Sequence, residues 1–140
     1  MELQCKIEIR PAAGEKVFSY WTEEAKRKAW EDDLESLVHD SHDGEIVAGT
    51  TGRLKLAGKP EMAFTVIEAI PGESYRERYE LPFGVLILSH RLVRENGKTC
   101  LFHAVELEKP ALADGDLAFL SGVFADFPVT ANRLKCLLEN

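Results

Sequence analysis

Residues 86–107 read LILSHRLVRENGKTCLFHAVEL, two alternating apolar segments on either side of Glu95-Asn96-Gly97-Lys98. Asn-Gly between such segments is a strong hairpin signal, because both central residues of a type I′ turn need positive φ. With Glu95 opposite Lys98, Leu92 faces Leu101, His90 faces His103, Leu88 faces Val105 and Leu86 faces Leu107. That face is apolar apart from its two histidines. The other face pairs Arg91 with Phe102, Ser89 with Ala104 and Ile87 with Glu106, and reads as the wetter side.

The same reasoning extends backwards along the chain. A two-residue turn at Pro82-Phe83 puts Tyr75 beside His90, Glu77 beside Leu88 and Tyr79 beside Leu86. A second at Pro71-Gly72 puts Glu68 beside Tyr75, Val66 beside Glu77 and Phe64 beside Tyr79. The expectation is a polar row of Glu68, Tyr75, His90 and His103 across four strands of an otherwise apolar face, with Glu77 one row away.

Ahead of this meander, Leu3, Cys5, Ile7 and Ile9 alternate with polar residues as in a strand with one buried face, which Pro11 ends. From Gly14 to Trp30 the period becomes helical, and Thr22 divides it into two short helices, with Trp21 and Trp30 as plugs against the sheet. Leu34–Asp40 reads as a strand and Ser41-His42-Asp43-Gly44 as a turn. His39 and His42, lacking a further ligand cluster, read as solvated turn residues and not as a metal site. Glu45–Leu56 alternates again, with Ile46, Ala48, Thr50, Gly52, Leu54 and Leu56 inward, and Gly52 invites a bulge or bend. After Pro110, Asp114 or Asp116 can cap a long helix in which Leu117, Leu120, Phe124, Phe127, Ala131, Leu134 and Leu138 share a face, with Pro128 bending it. The whole, residues 1–140, makes one α+β domain. A curved seven-stranded antiparallel sheet wraps around the C-terminal helix, leaving room for a cavity between them.

Composition narrows the function. The net charge is −7 and no basic cluster exceeds Lys26-Arg27-Lys28, so there is no electrostatic footprint for nucleic acid. No apolar run approaches membrane-spanning length and no signal-like segment opens the chain, which points to a cytoplasmic address. Cys5, Cys100 and Cys136 fit reduced thiols better than a disulfide framework. Nothing in the sequence calls for a cofactor.

The order of elements resembles the helix-grip proteins of the START, Bet v 1 and polyketide cyclase/dehydrase superfamily, grouped as SRPBCC. The matching stretches are Lys6-Ile7-Glu8-Ile9-Arg10-Pro11-Ala12, Val17-Phe18-Ser19-Tyr20-Trp21, Thr65-Val66-Ile67-Glu68-Ala69-Ile70-Pro71-Gly72, and the Asn96-Gly97-Lys98-Thr99 hairpin with its strand to Glu108-Lys109-Pro110. The resemblance implies a deep pocket for a small hydrophobic molecule such as a lipid, sterol-like compound or aromatic polyketide. Within the superfamily some members bind or carry, and others catalyse cyclisation or dehydration.

Two readings of the polar row follow. In one, His90 and His103 are a hydrogen-bonded pair in a filled sheet face. In the other, the row is the polar end of a ligand pocket walled by Phe64, Tyr79, Leu88, Phe124 and Phe127. Glu68 or Glu77 then accepts from a ligand hydroxyl, Tyr75 donates, and His90 and His103 do either. If the protein is an enzyme, His90 or His103 is the base, Tyr75 steadies the oxyanion and Glu68 is the flanking carboxylate, a set suited to proton transfer at an enolisable carbon. A third class is an interaction module resembling the activator of Hsp90 ATPase domains. The charged outer face, with Arg76, Arg78, Glu80, Arg91, Glu106 and Glu108, argues against that. The expected partner is a small hydrophobic molecule, and a second copy of the chain stays open.

Overall fold

In the computed structural model, which describes residues 2–108 and 116–139 without the side chains of 117, 119, 120 and 123–127, both central residues of the Asn96-Gly97 turn take positive φ, 51° and 76°. This turn joins β6 (Gly84–Glu95) to β7 (Lys98–Glu108) in the expected register, with Glu95 opposite Lys98 and His90 opposite His103. The turn at Pro82-Phe83 likewise joins β5 (Ser74–Leu81) to β6 as expected, Tyr75 facing His90 and Glu77 facing Leu88.

One hairpin further back the expectation fails in part. In β4 (Met62–Ile70) Val66 does face Glu77, but Glu68 faces Arg76 and Ala69 faces Tyr75. The loop holds three residues, because Ile70 pairs with Ser74. Gly72 sits at φ 77° and the Glu73 amide donates to the Ile70 carbonyl at 2.9 Å, as in a type II turn with proline second and glycine third. The extra residue shifts the register by one, and a bulge between Val66 and Glu68 restores it. A one-residue slip moves a side chain to the opposite face. Glu68 therefore stands on the outer face beside Arg76.

The remaining strands are β1 (Glu2–Ile9), β2 (Leu34–Asp40) and β3 (Thr51–Leu56), and the sheet order is β1-β7-β6-β5-β4-β3-β2. β3 begins later than the alternation from Glu45 suggests. Gly49 has φ 97° and the Thr50 amide bonds back to the Val47 carbonyl at 3.0 Å, so the chain turns here before Gly49 and Thr50 exchange backbone hydrogen bonds with Val66 of β4, each at 2.7 Å. Between β1 and β2 run a 3-10 segment (Pro11–Lys16), α1 (Val17–Thr22) and α2 (Glu24–Lys28), which fits the expected pair of short helices with one added turn. Val17 and Trp21 of this segment are fully enclosed and Trp30 nearly so. Each such side chain stabilises the fold by about 1.5–3 kcal/mol.

α3 (Asp116–Glu139) continues through Pro128 and buries Ala131, Leu134 and Leu138. Its last turn is tied to the start of the chain, Arg10 N donating to Glu139 Oε2 at 2.9 Å and Lys135 Nζ to the Glu8 carbonyl. The sheet curls strongly. β3 and β4 lie between β2 and β5, a separation on the order of 14 Å in a flat sheet, yet His39 on β2 and Tyr75 on β5 are in hydrogen-bond contact at 2.7 Å. Gly52 permits the curl. It pairs with both His39 and Phe64, and a Cβ there would collide with the Phe64 ring and the Val38 carbonyl. The bare position lets the His39 and Phe64 rings meet over it, centroids 5.4 Å apart.

Candidate functional site

The inner face of β5 presents Tyr75, Glu77 and Tyr79 in succession, all essentially without solvent exposure. A carboxylate so buried needs a cation and hydrogen bonds. Glu77 has both. Arg27 of α2 approaches as a fork, Nη1 to Oε2 at 2.7 Å and Nη2 to Oε1 at 3.2 Å. Tyr75 Oη donates to Oε2 at 2.6 Å and Tyr79 Oη to Oε1 at 2.8 Å. Burial alone would raise the Glu77 carboxyl, but the Arg27 charge and these four hydrogen bonds outweigh it and hold the group below the ordinary glutamate range. Both tyrosine hydroxyls are pushed up, first by burial and then by the Glu77 charge, so they remain donors.

Arg27 is completely buried and its remaining contacts are Nε to Glu31 at 3.2 Å and Nη1 to the Trp21 carbonyl at 3.3 Å. The network thus pins α2 to the centre of the sheet. His39 extends it to β2 through the Tyr75 hydroxyl, and its burial lowers its proton affinity. His39 is therefore not the solvated turn residue that its sequence neighbours suggest.

Beside this network lies a cavity of about 260 Å³ between α3 and the inner faces of β3 to β7. Leu54, Leu56, Met62, Leu86, Leu88 and Val105 make its wall apolar. Its polar lining includes Arg27, Glu31, Tyr79, His90 and His103, with Asp33 and Lys59 also on the wall. His90 is only 4% exposed, and neither of its ring nitrogens has a hydrogen-bond partner among the described residues. The ring is held by aromatic neighbours instead. Trp21 stacks on it at 5.6 Å and Tyr75 at 6.3 Å, while Trp30 and His103 meet it edge-on at 6.0 and 4.7 Å. Burial, the neighbouring His103 and the Arg27 charge push the His90 imidazole well below its usual range. His103 falls to about 4, through burial and then Arg27. Both rings are neutral at pH 7.

Of the residues expected at a binding site, Tyr79, Leu88, His90 and His103 line the cavity. Phe64, Tyr75 and Glu77 share the inner face but are packed into the core beside it. Glu68 lies on the outer face, beside Arg76 and lining a shallow groove with Glu73 and Arg91, so the four-strand polar row is reduced to Tyr75, His90 and His103. The side chains of Phe124 and Phe127 lie outside the described residues. His90 and His103 are not the hydrogen-bonded pair of the simpler reading, since both His90 nitrogens are unpartnered among the described residues. Arg27, Trp30 and His39 are the functional-site residues that sequence reasoning missed. Arg27 sits in a run of three basic residues that looks solvated. The available signal was its place three residues ahead of Trp30, a spacing that puts two side chains on one helical face. Among the described residues, no group of three histidine, cysteine or acidic side chains is placed to hold a metal ion.

Curled antiparallel sheet, paired short helices and a C-terminal helix gripping the sheet define the helix-grip architecture, and the chain has the fold shared by SRPBCC and Bet v 1-like proteins. Neither a protein-family profile nor a curated protein matches the sequence. Solved structures do match. The Aha1 dimer from Colwellia psychrerythraea is similar at TM-score 0.69 and 19% identity, over 99% of this chain and 96% of that one. Ara h 8.0201 is similar at 0.67 and 10%, over 99% and 97%. DynU16, from the dynemicin biosynthetic locus, is similar at 0.69 and 14%, over 99% of this chain and 47% of that one. No helix among the described residues is long and apolar enough to cross a membrane.

Proposed function

We propose that this protein binds a small hydrophobic molecule in the cavity between the sheet and α3. The observation that carries the reading is the apolar-walled space of about 260 Å³ between the sheet and α3, with polar side chains such as Arg27, Glu31 and His90 in its lining. Pockets for small molecules combine apolar walls with a few converging polar groups. A filled core does not offer such a space.

Binding without turnover is favoured over cyclisation or dehydration by what the neighbouring groups are doing. The Tyr75 hydroxyl is committed to Glu77 and His39, and Glu68 stands on the other side of the sheet. Of the expected catalytic set, His90 and His103 alone face the cavity, and both have depressed proton affinity. Likeness to an Aha1 dimer keeps a second copy of the chain in view as a partner, while the arginines and glutamates of the outer face weigh against an apolar docking surface there. Three free cysteines support a reducing, cytoplasmic setting.

Native mass spectrometry of gently purified protein tests the reading. A retained small molecule that is lost on denaturation is the expected result, together with thermal stabilisation by apolar compounds. Protein that carries no adduct and gains no stability from any apolar probe would sink the proposal.

A further inference from the structure

Resting on that reading, we infer that an uncharged apolar ligand entering the cavity drives a proton onto Glu31, so that the site is proton-linked and fills more readily as the pH falls. The surroundings of this one carboxylate carry the inference.

Glu31 lines the cavity with 17% of its side chain exposed. Asp33 and Lys59, on the same lining, are exposed, which places the mouth beside Glu31. The carboxylate is therefore open enough to exchange a proton with bulk water and enclosed enough to lose its remaining water when the space is filled.

Its partners hold it weakly. Among the described residues the Glu31 carboxylate accepts one hydrogen bond, from Arg27 Nε at 3.2 Å, whereas Glu77 accepts four and takes both Nη atoms of the same guanidinium. Burial, the largest influence on Glu31, pushes it above the ordinary glutamate range; the Arg27 charge opposes this, and the Glu77 and Asp33 charges reinforce it. Of the two carboxylates that share Arg27, Glu31 is the one that yields.

The other charges nearby do not change this. Lys59 is on the same wall but is not among the groups acting on Glu31, nor is it a free charge. Arg133 of α3 is paired with Asp32 at 2.9 Å. His90 and His103, also on the wall, have depressed proton affinity and supply no counter-charge at neutral pH.

An apolar ligand displaces the water that still solvates Glu31, and desolvation disfavours the charged form of a carboxylate. Once protonated, Glu31 still accepts from Arg27 Nε through its carbonyl oxygen, and the Arg27 charge is left to Glu77. Because Glu31 then holds its proton more firmly in the occupied state than in the free one, reciprocity makes binding tighten as the pH falls through the occupied-state titration. The gain levels off below the free-state titration.

The test uses toluene, which carries no charge at any pH. Isothermal titration calorimetry at about pH 6.5, repeated in buffers of different ionisation enthalpy, reads the protons taken up per ligand bound. Wild-type protein should take up roughly 0.3 proton or more, and should bind toluene about threefold or more tightly at about pH 5.5 than at about pH 7.5. Glu31→Gln, which keeps an acceptor for Arg27 but cannot titrate, should bind toluene with no uptake and with an affinity independent of pH. Asp33→Asn should retain the uptake. Toluene binding without proton uptake in the wild type, or uptake that survives in Glu31→Gln, overturns the inference and leaves the ligand-binding reading standing. Should Glu31→Gln not fold, infrared difference spectra of the wild type decide: a protonated-carboxyl band that appears on adding toluene supports the inference, and its absence overturns it. Failure of toluene to bind at any of these pH values overturns both.

Discussion

Arg27 and Glu77 provide the strictest test of the site's energetics. Replacing Arg27 by Met removes the two hydrogen bonds of the fork and leaves the Glu77 carboxylate, which has no solvent exposure, held by the Tyr75 and Tyr79 hydroxyls alone. Breaking a buried pair from one side costs about 3–5 kcal/mol, because an uncompensated charge remains. The carboxyl should respond by taking up a proton, since burial, the largest influence on it, is then unopposed by Arg27. Removing both members in Arg27→Met/Glu77→Gln eliminates the orphaned charge, so the double variant should be more stable than the sum of the single losses implies. A coupling of at least about 2 kcal/mol is expected for groups in direct contact. Urea denaturation followed by fluorescence is well suited, because Trp21 and Trp30 are both buried beside the network. Arg27→Met should also melt roughly 10–15 °C lower. A single-variant loss below about 1 kcal/mol, or additivity within about 0.5 kcal/mol, refutes the claim that this pair locks α2 to the sheet.

His103 is neutral in the fold with its pKa at about 4, against about 6.5 in the unfolded chain. Between those values the unfolded chain binds a proton that the native state refuses, so stability falls as pH drops, by about 3 kcal/mol over the full window; denaturation at about pH 7 and about pH 4.5 should show a smaller acid loss in His103→Gln than in wild type. Gly52→Ala should destabilise by about 1–3 kcal/mol, since its Cβ would collide with a backbone carbonyl as well as with Phe64; unaltered stability would mean that the sheet does not depend on this gap to curl. At Gly122 an added Cβ meets nothing within 4 Å among the described residues. Gly122→Ala should therefore gain about 0.5–1 kcal/mol from helix propensity, and a loss in thermal melting would contradict the open position at the cavity wall.

Local chemistry made much of this legible in the sequence. Asn96-Gly97 requires two positive-φ residues, and Pro82-Phe83 closes a two-residue loop, so His90 was placed beside both His103 and Tyr75 by arithmetic along the chain. The amphipathic period of Ala131, Leu134 and Leu138 announced a buried helix face because such a face is unstable in water. At Pro71-Gly72 the same method slipped, since a proline-glycine turn closes loops of either two or three residues and the bulge that corrects it is a matter of sheet twist.

What tertiary structure alone decided is where the charges went. Arg27 lies between two lysines and is indistinguishable from them locally; its partner Glu77 is fifty residues away, and only the curl of the sheet and the docking of α2 remove both from water. His39 was misread for the same reason, its partner Tyr75 being reached across two intervening strands. Turn preferences act over a few residues and are written in them, whereas the free energy of a buried charge depends on what the rest of the chain brings beside it. Strand neighbours could thus be read from the sequence, while the electrostatic floor of the site and the enclosure of His90 among aromatic rings emerged only on folding.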